Sequence, residues 1–254
     1  MLELKDVILH SPACRQAGRP TDSQSRRPLS FLIQPGDICC VGGGSGSGKT
    51  TLVRSVLGFC PVASGYISID GELVNWLSAP TFRRQIFYIP SDVSAEADVS
   101  AGGGCPSPFD DLTVRQLIEA QLQLGINRIN IDNDHLSEAW QLLGLDESVG
   151  ERRCGELSAS EMRRALLSIG SQIHRDLLIA DELTTGLTVE EEQKTFRFVR
   201  AMAQSGSAVL LTCLSDDLLL KQEENEHFII RDLSGSDTAG ASDRTDGQTA
   251  HTHA

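Results

Sequence analysis

The 254-residue chain carries 35 acidic against 22 basic residues, for a formal net charge of −13, and 40% of it is hydrophobic. That is an ordinary globular balance, with room for one sizeable core or two small lobes. The negative charge argues against a general nucleic-acid binder and against direct docking on anionic lipid, since both need basic surface.

No apolar run approaches the ~20 residues that span a bilayer, and the opening "MLELKDVILHS" lacks the apolar centre of a secretory signal. These features read as a cytoplasmic protein that reaches a membrane only through a partner. Seven cysteines, at 14, 39, 40, 60, 105, 154 and 213, include no CxxC pair, and their number is odd. They read as reduced, mostly buried thiols, because zinc-ligand spacing is missing. The histidines of the terminal "HTHA" read as solvated.

In chain order, "LELKDVIL" predicts a strand, and residues 11–30, rich in Ser, Pro, Arg and Gln, predict a loop. "GDICCV" is an apolar strand running into glycines, "KTTLVRSVLG" is helical, and Gly58 is its stop. "SGYISIDGELV" alternates and turns at Asp70-Gly71, a hairpin signal. "RRQIFYIP" is a strand closed by Pro90, and residues 91–110 form a long small-residue loop. Helices are predicted from Thr113, from Asp132 and from Ser158. "DLLIADE" is a buried strand ending in two acids, "VEEEQKTFRFVRAMAQ" a helix, and "SAVLLTC" and "EHFIIRD" strands. The acids of "VEEEQ" read as a solvated helix start favoured by the dipole, and Trp76, Trp140 and Phe109 as packing residues. The polar stretch 235–254 predicts a disordered tail. Alternating strands and helices favour an α/β sheet, interrupted by a helical lobe over about 91–164.

Residues 43–50, "GGSGSGKT", fit G-x-x-x-x-G-K-[ST]. Glycines let successive backbone N–H groups converge on an anion, and the following helix adds its positive dipole end. Gly43, Gly44, Ser45, Gly46, Ser47 and Gly48 would form the cradle. Lys49 would reach the β- and γ-phosphates, Thr50 would offer its hydroxyl to Mg²⁺, and Thr51 would complete the contacts. Asp181 can hold the same metal through water, and Glu182 can act as general base on an attacking water.

The motifs together resemble the ATP-binding cassette (ABC) ATPases over roughly residues 1–232. "GGSGSGKTTL" is similar to their Walker A, and "LSASEMRR" stands where their "LSGGQ" signature is usual. "LLIADELTTGLT" resembles Walker B with the D-loop, and "LTVRQLI" resembles the opening of their helical lobe. The resemblance implies an α/β P-loop NTPase (RecA-like) core sheet, an inserted α-helical subdomain and an N-terminal antiparallel β region. These would form one nucleotide-binding domain over residues 1–234. It also implies ATP and Mg²⁺ as ligands. A second ABC ATPase subunit, identical or different, would face the Ser158, Ala159, Ser160 and Glu161 segment toward its own ATP. A separate membrane-spanning subunit and a place on the cytoplasmic face of a membrane complete the picture. Glu161 and "KTTL" resemble subfamily G, while "IADELTT" resembles the oligopeptide and nickel importers.

Several positions depart from the pattern. Ser91 stands at the Q-loop glutamine and Cys213 at the switch histidine. Ala159 and Ser160 replace the signature glycines, Thr188 the D-loop aspartate, and Leu183 the proline after the base. Ser11 stands where the family stacks an aromatic on adenine, with His10 beside it. Arg163 and Arg164 read as surface or helix-pairing residues, or as signature contacts. Each lost transition-state donor typically costs ~10²–10³ in rate. Two expectations follow: an ABC transporter ATPase subunit with slow or partner-dependent hydrolysis, or a regulatory cassette that clamps nucleotide without appreciable hydrolysis.

Overall fold

The computed structural model describes residues 1–10, 28–91, 109–214 and 228–233. Strands β1 (Leu2–Leu9), β2 (Leu29–Ile33) and β3 (Ile38–Gly42) lead into helix α1 (Lys49–Val56). The hairpin β4 (Val62–Ile69) and β5 (Glu72–Leu73) follows, then the short α2 (Ala79–Phe82) and β6 (Ile86–Ile89). Helices α3 (Val114–Gln123), α4 (Asn133–Leu142) and α5 (Ala159–Gln172) precede β7 (Leu177–Ala180). Helix α6 (Val189–Gln204), β8 (Ala208–Thr212) and β9 (Phe228–Asp232) end the described chain. Every strand and helix expected from the sequence is present. The strand β2 and the helix α2 were not expected, and the loop reading of 11–30 overlaps the first residues of β2.

The strands form two sheets, an antiparallel one in the order β2-β1-β4-β5 and a parallel one in the order β6-β7-β8-β3-β9. Strands β3, β7 and β8 are buried at every position. They read as continuous apolar runs, as strands covered on both faces must. Period-2 alternation then sorts their side chains into two cores. Cys40, Leu178, Ala180, Val209 and Leu211 pack with the helices α3 to α6. Cys39, Val41, Leu177, Ile179 and Leu210 pack with Leu52, Val53 and Val56 of α1 and with the antiparallel sheet. One apolar layer therefore ties the parallel sheet to each neighbour.

Helices α3 to α6 start where side chains cap them. Thr113 and Ser158 each form a reciprocal capping box with the residue three on, Gln116 and Glu161, and Asp132 accepts from the His135 N–H. Each cap satisfies orphan donors of a first turn. Trp140 is buried in the helical lobe and donates from Nε1 to Ser168 Oγ at 3.1 Å. Trp76 and Phe109 depart from the packing expectation, for their rings are largely exposed. The polar tail 235–254, the loop segment 92–108 and Ser11 lie outside the described residues.

Candidate functional site

The glycine loop leaves the C-terminal end of β3, and α1 begins at Lys49 with Gly48 as its N-cap. The carboxyl ends of parallel strands are where open α/β sheets place ligands. Gly43, Gly46 and Gly48 have φ of 146°, 78° and 109°, a region that L side chains rarely adopt. A Cβ on Gly43 would also meet Ser47 Oγ at 2.7 Å. The loop shape thus depends on glycine at these positions. Gly44, Ser45 and Gly46 are exposed, while Thr51 is half-buried on α1.

Lys49 is buried, and its ammonium donates to the carbonyls of Gly43 at 2.6 Å and Gly44 at 3.0 Å. The side chain therefore folds back over the loop, with its charge held inside the cradle. Ser47 Oγ is buried and has no hydrogen-bond partner among the described residues. An orphaned hydroxyl in a glycine loop costs free energy that a bound anion or its metal would recover.

Thr50 Oγ1 donates to Asp181 Oδ2 at 3.0 Å, joining groups 131 residues apart in the chain. Asp181 follows β7 and is fully buried, and Thr212 Oγ1 donates to its other oxygen. Thr212 also accepts from the Glu182 N–H at 2.9 Å. Glu182 itself sits in the left-handed region at φ 53°. Such strain in a non-glycine residue persists only where neighbours enforce it. Here the enforcing groups are Thr212 on one side and Arg163 on the other. Arg163 Nη1 donates to the Glu182 carbonyl at 2.6 Å, and Nη2 to the Thr185 carbonyl at 3.0 Å. Burial pulls the Arg163 guanidinium below its ordinary value, and the Glu182 charge pushes it back. The oxygen-only set of Thr50 and Asp181, beside an orphaned Ser47 hydroxyl, suits a hard cation such as Mg²⁺.

The signature segment lies apart from this cradle. Ser158, Ser160 and Glu161 line a separate pocket of about 350 Å³ with Arg152, Arg164 and Glu191. Ser158 Oγ donates to Glu161 Oε2 at 2.8 Å and lies 3.2 Å from Ser160 Oγ. Ala159 opens α5 behind them. Arg152 donates to Glu161 Oε1 at 2.7 Å. Burial alone would raise the Glu161 carboxyl, but Arg152 and the Ser158 N–H and hydroxyl outweigh it and hold it at about 2.

The departing positions have local employment. Cys213 is buried in the helical-side core beside Cys40, and its thiol together with burial pushes the Cys40 thiol well up. Thr188 caps α6 in a box with Glu191, and Leu183 is buried in the core. Ser91 is half-buried just beyond β6, and His10 is exposed at the end of β1. Arg163 and Arg164 are both buried, so the surface reading fails; Arg164 pairs α5 with its neighbouring helices, whereas Arg163 holds the turn after β7. Arg164 Nη2 donates to Glu191 Oε1 at 2.8 Å, so Glu191 is a partner and not only part of a solvated helix start. Sequence reasoning missed Thr212 and the contact of Arg163 with Glu182, because pairing between distant segments leaves no spacing in the chain.

A family model described as ABC transporter matches residues 27–185. The ribose import ATP-binding protein RbsA of Bacillus cereus is 25% identical over 190 residues, which are 72% of this chain and 36% of that protein. The ATP-dependent lipid A-core flippase of Ralstonia nicotianae is 31% identical over 190 residues, 72% of this chain and 30% of that protein. The chain spans about a third of the length of these curated relatives. A solved dimeric ATP-binding cassette in a post-hydrolysis state, bound to ADP and Pi, superposes with a TM-score of 0.64 at 16% identity. That superposition covers 91% of this chain and 94% of the other, a likeness of fold. With the family match spanning the glycine loop, the signature segment and the acids after β7, the chain belongs to the ABC transporter family.

Proposed function

We propose that this chain is the ATP-binding subunit of an ABC transporter, that it binds Mg-ATP in the loop 43–51, and that it hydrolyses ATP slowly. The observation that carries the reading is the Thr50–Asp181 hydrogen bond. It joins the hydroxyl at the head of α1 to the carboxylate after β7 beside a buried lysine.

In this reading the loop N–H groups and the start of α1 hold the phosphates. Lys49 exchanges its two carbonyl acceptors for phosphate oxygens. Thr50 and Asp181 would hold Mg²⁺, which supplies charge neutralisation on the β- and γ-oxygens. Glu182 takes a proton from water as its oxygen bonds the γ-phosphorus and the bond to ADP breaks. Thr212 and Arg163 keep that carboxylate's backbone in place. Because Ser91 and the core-facing Cys213 offer no donor like glutamine or histidine, turnover falls by ~10² or more against a site that has both. Ser158 to Glu161 would meet ATP on a second cassette. A membrane-spanning subunit would couple the pair to transport from the cytoplasmic face. The Glu161 that resembles subfamily G has a use of its own here, completing the capping box of Ser158 at the start of α5.

The test is equilibrium nucleotide binding and steady-state turnover on the whole chain. Lys49→Ala should lose nucleotide binding. Glu182→Gln should keep binding and lower turnover by ~10²-fold or more. Wild-type turnover no higher than that of Glu182→Gln would overturn hydrolysis and leave a nucleotide clamp.

A further inference from the structure

Away from the glycine loop, α4, α5 and α6 enclose a groove of about 560 Å³. That volume suits a small organic molecule. Helix α4 turns His135, Glu138, Ala139 and Leu142 toward it, the i, i+3, i+4, i+7 spacing of one face. Helix α6 faces it with Lys194, Arg197, Phe198, Ala201 and Met202, again one face. The floor is apolar. Ala139 and Phe198 are buried there, whereas Leu142 is left 55% exposed. Met202 adds a flexible side chain that adapts to an occupant's shape.

The rim is richer in basic side chains than the chain as a whole. His135, His174, Lys194 and Arg197 line the groove against one acid, Glu138, in a protein of net charge −13. Lys194 is paired with Glu190 at 2.8 Å. The side chains of Arg197, His135 and His174 have no ion-pair or hydrogen-bond partner among the described residues. A solvated helix face explains basic side chains on an open surface, but these border an apolar hollow. A polyphosphate would leave the floor wet, and a neutral hydrocarbon would leave the cations unused.

We propose that this groove binds a small amphipathic organic anion, its carboxylate or sulfonate on the basic rim and its apolar body on the Leu142–Phe198 floor. Such an occupant would bridge α4 of the helical lobe to α6, which begins shortly after Glu182 in the chain. It would therefore hold the lobe against the sheet. An effect on ATP turnover rests on the proposed ATPase function, but binding itself does not.

The probes are 8-anilinonaphthalene-1-sulfonate and its neutral counterpart N-phenyl-1-naphthylamine, titrated by fluorescence into the whole chain. Both test substitutions, Arg197→Gln and Leu142→Glu, are at exposed positions. The sulfonate should bind at one site, ~10-fold more weakly in Arg197→Gln, as loss of a charge-assisted bond predicts. Leu142→Glu should weaken both probes, while Arg197→Gln should leave the neutral one unchanged. Circular dichroism of each variant checks that the fold is kept. Sulfonate binding indifferent to both substitutions, or neutral-probe binding as tight as the sulfonate's, overturns the proposal. A chain that binds the sulfonate as expected but fails to bind ATP would overturn only the proposed function.

Discussion

Glu161 concentrates several roles in one carboxylate. It completes the capping box at the start of α5, accepts from Ser158, and pairs with Arg152. Its folded value of about 2 lies below the ordinary 4.5. A depressed carboxylate contributes stability that is complete above the unfolded value and drains away as pH falls through the folded one. The urea midpoint of wild type minus that of Glu161→Gln should therefore be constant above about pH 5 and close toward pH 2. Protonated glutamic acid and glutamine then present nearly the same donor and acceptor. A gap that ignores pH would show that the charge contributes nothing. At this scale the sequence was readable where residues stand in a spaced motif, as Lys49, Thr50 and Asp181 do, and the structure brings these three together. Thr212 and the Arg163–Glu182 contact were not readable, because these groups meet Asp181 and Glu182 only through the packing of β8 and α5.

At the scale of elements, caps made the helix starts legible. Thr113, Asp132, Ser158 and Thr188 each stand immediately before the helix they cap. The hairpin at Asp70-Gly71 was legible for a similar reason, since both residues take the positive φ that such a turn requires. Strand β2 was hidden by the polar residues before it, and its pairing to β1 is decided across the sheet. Gly65 marks another cross-strand constraint. At φ 73°, a Cβ there would collide with the Asp6 and Lys5 carbonyls of β1, beside the irregularity after Lys5. Gly71 has a similar φ of 80° but open space around it. Gly65→Ala should cost ~2 kcal/mol or more, through clash as well as φ. Gly71→Ala should cost only about 1 kcal/mol, from φ alone. Equal losses in chemical denaturation would contradict the close approach.

For the whole molecule, Arg164 is the fastener between helices. It is 3% exposed and donates to the carbonyls of Leu143 at 3.0 Å and Gly144 at 3.2 Å, as well as to Glu191. One guanidinium thus joins α5 to the end of α4 and the start of α6. Arg164→Met should lower stability by ~2–4 kcal/mol, because it leaves a buried carbonyl and a carboxylate without their donor. Hydrogen exchange should quicken at the end of α4 and the start of α6 while β3, β7 and β8 stay protected. Uniform acceleration would mean that the helices and the sheet open as one unit.

The sequence by itself determined the α/β class, the glycine loop between a strand and a helix, and the two acids after a buried strand. These depend on local spacing, periodicity and capping, which neighbouring residues dictate. Only the tertiary structure decided that Thr50 meets Asp181, that Cys213 turns into the core toward Cys40, and that Arg163 and Arg164 are buried. Only it left a basic-rimmed groove between α4 and α6. Those outcomes follow from which faces of distant strands and helices come together, and chain order carries no record of that.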